Sequence, residues 1–360
     1  MPRPIMTFAS VYGGTAWADA TVSSEIATLD PATERVHLTP KGQFGAQDCL
    51  LPRGAALDEA RGELLVACLG RDEIVAYDAR PTAPRASVLR RWKVAPGPRG
   101  VAIDSEAGRA AAWSQFDGVL SLFPLGGVKG EAPPPAITIP IAAHQALPPE
   151  LDRGRKLFHD AAGGRISSDG RACASCHVDG RDDGLSWVFL SGARQTPMLL
   201  GRLADTAPYG WDGSDKDLQH HFTGTLARLG GHGISAPERD ALFAWVESLT
   251  PPGEPTRAVD PRIARGDAIF HDDAAGCSNC HLGDETTDHA RHDVKSGFDT
   301  WAGGFDTPSL RFLSRSAPDL HDGRYPTLSA LLVGMDGKMG HTRQLSAADR
   351  DALLAYVASL

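Results

Sequence analysis

The sequence predicts a multidomain chain: an N-terminal all-β region of partial propeller blades, followed by two mainly α-helical domains that are copies of one another. Three observations carry this. Short β-branched and aromatic runs separated by Gly, Pro and Asp repeat within the first third; a longer repeat spans the remainder; and each copy of the longer repeat contains a C-x-x-C-H segment. The 360 residues allow roughly two or three domains, and 42% hydrophobic with 22% charged residues is a globular composition. No run approaches the roughly 20 apolar residues of a membrane-spanning helix. A net charge of −9 lacks the basic surface that a nucleic-acid partner requires.

The blade region is placed at residues 1–132. Pro52-Arg53-Gly54, Asp58, Gly62 and Tyr77 recur as Pro98-Arg99-Gly100, Asp104, Gly108 and Phe123 at one constant spacing. That spacing is close to the roughly 40–50 residues of a four-stranded blade. A looser third copy, Thr15 to Asp30, answers Glu63 to Asp78. Propellers close with about four to eight blades, so further blades are expected before Met1, together with the export signal that Met1 to Ala20 does not supply. The alternative is a small open sheet packed on the helical domains. Cys49 and Cys68 are expected to face each other as a disulfide across adjacent strands, against a reading as two inert buried thiols. Residues 133–147, opening on Pro133-Pro134-Pro135, form the linker.

The helical domains are placed at residues 148–252 and 253–360. Arg153-Gly154 through Phe158-His159-Asp160 recurs as Arg265-Gly266 through Phe270-His271-Asp272. Beyond the cysteines, Thr196-Pro197 answers Thr307-Pro308, Ala207-Pro208 answers Ala317-Pro318, and Asp212-Gly213 answers Asp322-Gly323. Each copy closes with a helix that opens on a cap, Ser235-x-x-Glu238 or Ser346-x-x-Asp349. Leu242, Trp245, Val246 and Leu249 make one apolar stripe, and Leu353, Tyr356, Val357 and Leu360 the other.

Cys173, Cys176 and His177, and again Cys277, Cys280 and His281, have the C-x-x-C-H spacing of covalent haem c. Two thiols one helical turn apart reach the two vinyl groups of a porphyrin edge, and the next imidazole falls under the iron. Four thiolates also suit a structural zinc, which does not call for a histidine after each pair. Two haem c groups, held through His177 and His281, are the expectation.

The function of each iron turns on what stands above it. Met339 is the expected sixth ligand of the second iron, with Met335 as the alternative and a helix-end core residue as the plain reading. At the matching place the first copy reads Arg228-Leu229-Gly230. The first iron is therefore expected to be open or weakly ligated, with His220, His221 and His232 as candidates for the space above it. His221 leads, sharing a helical stripe with Leu218, Phe222 and Leu229.

The two C-x-x-C-H segments, with Trp211-Asp212-Gly213 after the first and His321-Asp322-Gly323-Arg324 after the second, resemble the bacterial di-haem cytochrome c peroxidase and methylamine-utilisation maturase superfamily over about residues 145–360. The helical domains are then of cytochrome c type. The blades resemble the Tyr-Val-Thr-Asn-type propellers fused to such domains in some exported bacterial proteins. The resemblance implies that Trp211 lies between the haems and carries electrons, where the plain reading is a buried core tryptophan. His292, in His292-Asp293-Val294, resembles a family segment near the second haem, although a surface histidine on the propionate side reads the same. The family often places calcium between its domains, but no acidic loop in this sequence supports calcium. It also places a distal glutamine and then a glutamate beyond the tryptophan, where this chain reads His221 and Gly231. Only His221, His220 or His232 is left to move the proton that peroxide cleavage requires.

The expected function is a peroxidase-like oxidoreductase that reduces hydrogen peroxide or a related oxidant at the first haem with electrons from the second. A small redox protein or cytochrome is the expected donor. The alternative is a non-catalytic electron-transfer protein with a propeller binding module, in which a histidine closes the first iron. Because haem c is attached after export, the expected location is the periplasm or cell surface of a bacterium.

Overall fold

The computed structural model describes residues 49–80, 88–141, 146–189, 192–251, 260–295 and 303–360, with the backbone of two short paired strands, β1 (Thr28–Asp30) and β2 (Arg35–His37). Apart from β1, the looser third copy at Thr15 to Asp30 lies outside the described residues. The chain divides into two compact units, Met1–Ser175 with Leu226–Trp245, and Cys176–Thr225 with Val246–Leu360.

The first unit holds two four-stranded antiparallel sheets. One runs in order through β3 (Pro52–Asp58), β4 (Glu63–Cys68), β5 (Glu73–Asp78) and β6 (Val88–Lys93). The other joins β7 (Pro98–Asp104), β8 (Arg109–Ser114), β9 (Val119–Pro124) and β10 (Ile137–Pro140). Each copy of Pro-Arg-Gly opens a sheet, but β10 carries the second sheet into residues 137–140, expected from the sequence to be linker, because it pairs with β9 along Ile137–Pro140. Strand side chains alternate between faces, and β4 is buried on both. Leu65 and Ala67 meet Ile74, Trp92, Ala110 and Phe123 on one side, and Leu64, Val66 and Cys68 meet Val75 and Tyr77 on the other. Trp92 and Phe123 tie the two sheets together with ring centroids 4.9 Å apart. The two Pro-Arg-Gly motifs also touch, since a Cβ on Gly54 would sit 2.6 Å from the Arg99 carbonyl oxygen. Among the described residues the two sheets do not close a ring. Cys49 and Cys68 are joined as a disulfide, Cys68 ending β4 and Cys49 standing just before β3.

Helix α1 (Pro149–His159) docks on these sheets. Arg155 lies over the Phe116 ring at 4.7 Å and donates to the Phe116 carbonyl at 2.8 Å, Lys156 pairs with Asp117 at 2.8 Å, and the Ala161 N–H donates to the Gly70 carbonyl. The short helix α2 (Cys173–Cys176) carries the first thiol pair, and the hairpin β11 (Ser186–Phe189) and β12 (Gly192–Gln195) follows. Then come α3 (Leu218–Leu229) and α4 (Ala236–Glu247). The second copy supplies α5 (Arg262–Phe270), the strand pair β13 (Arg291–His292) and β14 (Phe305–Asp306), α6 (Leu328–Gly334) and α7 (Ala347–Val357).

Both caps form. The Ser235 N–H and hydroxyl donate to Glu238 Oε2 at 2.9 and 2.7 Å ahead of α4, and Ser346 accepts from the Asp349 N–H ahead of α7. The helix crossings repeat as well. A Cβ on Gly154 would fall 2.0 Å from the Ala241 carbonyl oxygen, and one on Gly266 would fall 2.0 Å from that of Ala352. Glycine is required there by close approach rather than by backbone angle. The crossings bury Phe158 against Trp245 in the first copy, and Ile269, Phe270, Leu353 and Val357 in the second.

Candidate haem site

In the second copy, a cavity of about 590 Å³, counting the part that opens to solvent, is lined by Cys277, His281, Leu331, Met335, Met339 and Val357 among others. The walls are apolar, and the polar ends are a thiol, an imidazole and two thioethers, a donor set that fits a covalently held haem. His281 Nδ1 donates to the Thr286 carbonyl at 2.9 Å, which orients the ring and leaves Nε2 as its ligating end. Burial lowers the imidazole below its usual range and raises the Cys277 and Cys280 thiols above theirs. Met335 is buried and Met339 half-buried, both on the cavity. The lining alone does not separate these two ligand candidates.

In the first copy, α2 holds Cys173 and Cys176 one turn apart, directly ahead of His177. Burial raises the Cys173 thiol to about 12. It also lowers the His177 imidazole to about 4. His177 Nδ1 is shielded from solvent without a hydrogen-bond partner. Among the described residues, the one group of His, Cys, Asp and Glu with metal-ligand spacing is Cys280, Asp288 and His292. In that cluster His292 Nε2 pairs with Asp288 at 2.7 Å.

The other candidates fall in distinct places. His220 and His221 stand at the start of α3, and both are held by Asp215. His232 is exposed, with its ring over Gly164. Trp211 Nε1 donates to the Gln195 carbonyl at 2.7 Å, its own carbonyl accepts from the Asp306 N–H, and its ring meets that of His321 edge to face. Neither α3 nor α6 has a fully buried residue although both are rich in leucine; in the second copy Leu328, Leu331 and Leu332 of α6 face the cavity. By the repeat, His221 stands where Leu331 stands. Asp215 is a functional candidate that pattern reading passes over, because its partners are set by a loop; the signal available was the change to Tyr325 at the matching position of the second copy.

No protein-family model matches the chain. It is similar to the methylamine utilization protein MauG of Methylophilus methylotrophus, 29% identical with 50% of this chain and 70% of that protein covered. It is also similar to the hydrazine synthase subunit gamma of Kuenenia stuttgartiensis, 25% identical with 60% of this chain and 79% of that protein covered. A solved chain of Kuenenia stuttgartiensis hydrazine synthase shares the fold at a TM-score of 0.52 and 24% identity, covering 60% of this chain and 89% of that one.

Proposed function

We propose, from relatives that support the MauG-like di-haem cytochrome c peroxidase family for this chain, that it is a di-haem oxidoreductase reducing hydrogen peroxide or a related oxidant. Covalently held haem supplies a redox-active iron that binds an oxidant on an open face and stores an electron when both faces are filled. His177 and His281 would ligate the two irons, and the thiols of Cys173, Cys176, Cys277 and Cys280 would hold the porphyrins. Met339, with Met335 as the alternative, fills the second site; Leu229, in the matching place, has no ligating atom and leaves the first site open. His221 accepts a proton at Nε2 from one peroxide oxygen and returns it to the other. Trp211 is the route for electrons between the two sites. A small redox protein or cytochrome supplies them, in the periplasm or at the cell surface, and the two sheets of the first unit are blades that dock a partner.

The observation that carries this reading is His221: a polar imidazole held by Asp215 at 2.7 Å, at the position where the second copy has a cavity-lining leucine. The test is optical. The half-reduced and fully reduced protein should bind carbon monoxide at one haem, and peroxide should change the Soret band. His221→Ala should keep carbon monoxide binding and lose peroxide turnover. A protein that binds neither, or one in which His221→Ala gains ligand binding, is an electron carrier with the first iron closed.

A further inference from the structure

One carboxylate serves two imidazoles beside the first site. Asp215 Oδ2 accepts from His221 Nδ1 at 2.7 Å, and Asp215 Oδ1 accepts from His220 Nδ1 at 2.6 Å. The carboxylate is the most buried of the three at 16% exposed, between His221 at 35% and His220 at 60%. Gly210, at φ +80°, runs alongside: a Cβ there would lie 3.5 Å from Asp215 Oδ2 and 3.9 Å from His221 Nδ1.

The second copy keeps the backbone of this device without its chemistry. The backbone bridge Tyr209–Asp215 recurs as Asp319–Tyr325, with the tyrosine and the carboxylate exchanged. Tyr325 then packs on Gly334, and Ala330 and Leu331 stand in place of His220 and His221. Three changes confined to one copy turn an apolar wall into a hydrogen-bonded triad.

We infer that Asp215 is the positioning residue of the first site, holding His221 in the tautomer whose Nε2 carries a lone pair and so can act as a base. The inference rests on the peroxidase reading above. A carboxylate accepting Nδ1–H sets the tautomer of the ring and offsets the positive charge that forms when Nε2 takes a proton. As the peroxide O–H bond breaks, an N–H bond forms at His221 Nε2. As the O–O bond breaks, that proton leaves Nε2 to complete water on the departing oxygen. The two electrons come from the reduced protein, and the two further protons of complete reduction come from solvent, toward which His220 is turned.

Asp215→Asn tests this in the haem-loaded protein. An amide N–H turned to Nδ1 favours the opposite tautomer, with Nε2–H facing the site. Peroxide turnover should fall by about 10² or more in kcat with KM little changed, and Asp215→Glu should recover much of it. A second readout is independent of activity. The C–O stretch of the reduced carbon monoxide adduct should move to lower frequency in Asp215→Asn, because Nε2–H now donates to the bound ligand, and Asp215→Glu should keep the wild-type band. In a His221→Ala background the Asp215→Asn change should move nothing. Equal C–O bands in wild type and Asp215→Asn overturn the inference. If the band shifts but the wild type never turns over peroxide, the positioning stands and the peroxidase reading falls. If the wild type binds no carbon monoxide, the open-site reading falls, and the ¹⁵N shifts of His221 in the reduced protein decide the tautomer in its place.

Discussion

Trp211 and His321 occupy the same position in the two copies of the repeat, and their rings meet edge to face with centroids 6.4 Å apart. Gln195 binds both, its carbonyl accepting from the indole N–H at 2.7 Å and its N–H donating to the His321 carbonyl at 2.6 Å. Phe305 stacks on the far side of His321 at 3.8 Å, and His321 itself is buried. The second compact unit therefore joins the two Asp-Gly motifs through one aromatic contact.

Trp211→Phe keeps a ring at this contact and removes both the easily oxidised indole and its hydrogen bond. Leaving the Gln195 carbonyl unpaired should cost about 1–3 kcal/mol of stability. With Trp211 on the electron route, rapid-mixing kinetics should show electron transfer between the haems slowed well beyond what that loss of stability explains. Unchanged transfer rates would remove Trp211 from the path.

The paired glycines at the helix crossings predict matching failures. A methyl group on Gly154 or Gly266 meets a backbone carbonyl of the facing helix, which has no rotamer through which to yield. Overpacking of a core typically costs about 1–3 kcal/mol, and a contact against backbone should fall at or above the top of that range. Thermal unfolding of Gly154→Ala and Gly266→Ala should show large and similar losses. A neutral result in either would mean that the helices separate without penalty.

Burial raises the Asp319 carboxyl from its ordinary 3.8 to about 6, against the opposing charge of Arg202, and raises Asp306 to about 7. Asp319 is 3% exposed, with neither carboxylate oxygen hydrogen-bonded. A folded state that holds its proton more tightly than the unfolded state gains stability from that group below pH 3.8. The gain is lost as pH rises through about 6 for Asp319 and about 7 for Asp306. Asp319→Asn should therefore flatten the fall in Tm across that window and leave the mutant relatively more stable on its alkaline side. A Tm profile parallel to wild type would mean that Asp319 titrates as an ordinary carboxyl.

The sequence exposed whatever depends on short-range spacing. The C-x-x-C-H pairs, both serine caps, the two Pro-Arg-Gly motifs and the closing helical stripes all lie where periodicity and repeat placed them, because each is set within a turn or a strand. What pattern could not show depends on contacts across the fold. Gly154 and Gly266 were visible as repeated residues, but their cause is a carbonyl on another helix. Asp215 sits in a loop whose path is set by its backbone bridge to Tyr209, so no periodicity marks it as the partner of His220 and His221. Gln195 likewise ends a hairpin, and nothing local ties it to His321.

With Met339 as the proposed ligand of the second iron and Leu229 in its place in the first copy, exchanging the two residues should exchange the character of the two sites. Met339 follows α6 on a turn that is still helical in its bonding, its N–H donating to the Met335 carbonyl at 3.0 Å, and Leu229 ends α3. The two residues share a place in the repeat, but Leu229 ends an unbroken helix whereas Met339 follows a turn that carries Gly337 at φ +76°. Leucine and methionine are close in volume, so exchanging them should cost less than about 1.5 kcal/mol. Leu229→Met should place a thioether over the first site, adding a second sulfur-to-iron band in the near infrared while abolishing carbon monoxide binding and peroxide turnover. Met339→Leu should remove the existing band and open the second site, whereas Met335→Leu should leave that band in place. A Leu229→Met protein that is spectroscopically silent and fully active would show that Leu229 does not face the first iron, and the assignment of Met339 by repeat would lose its support.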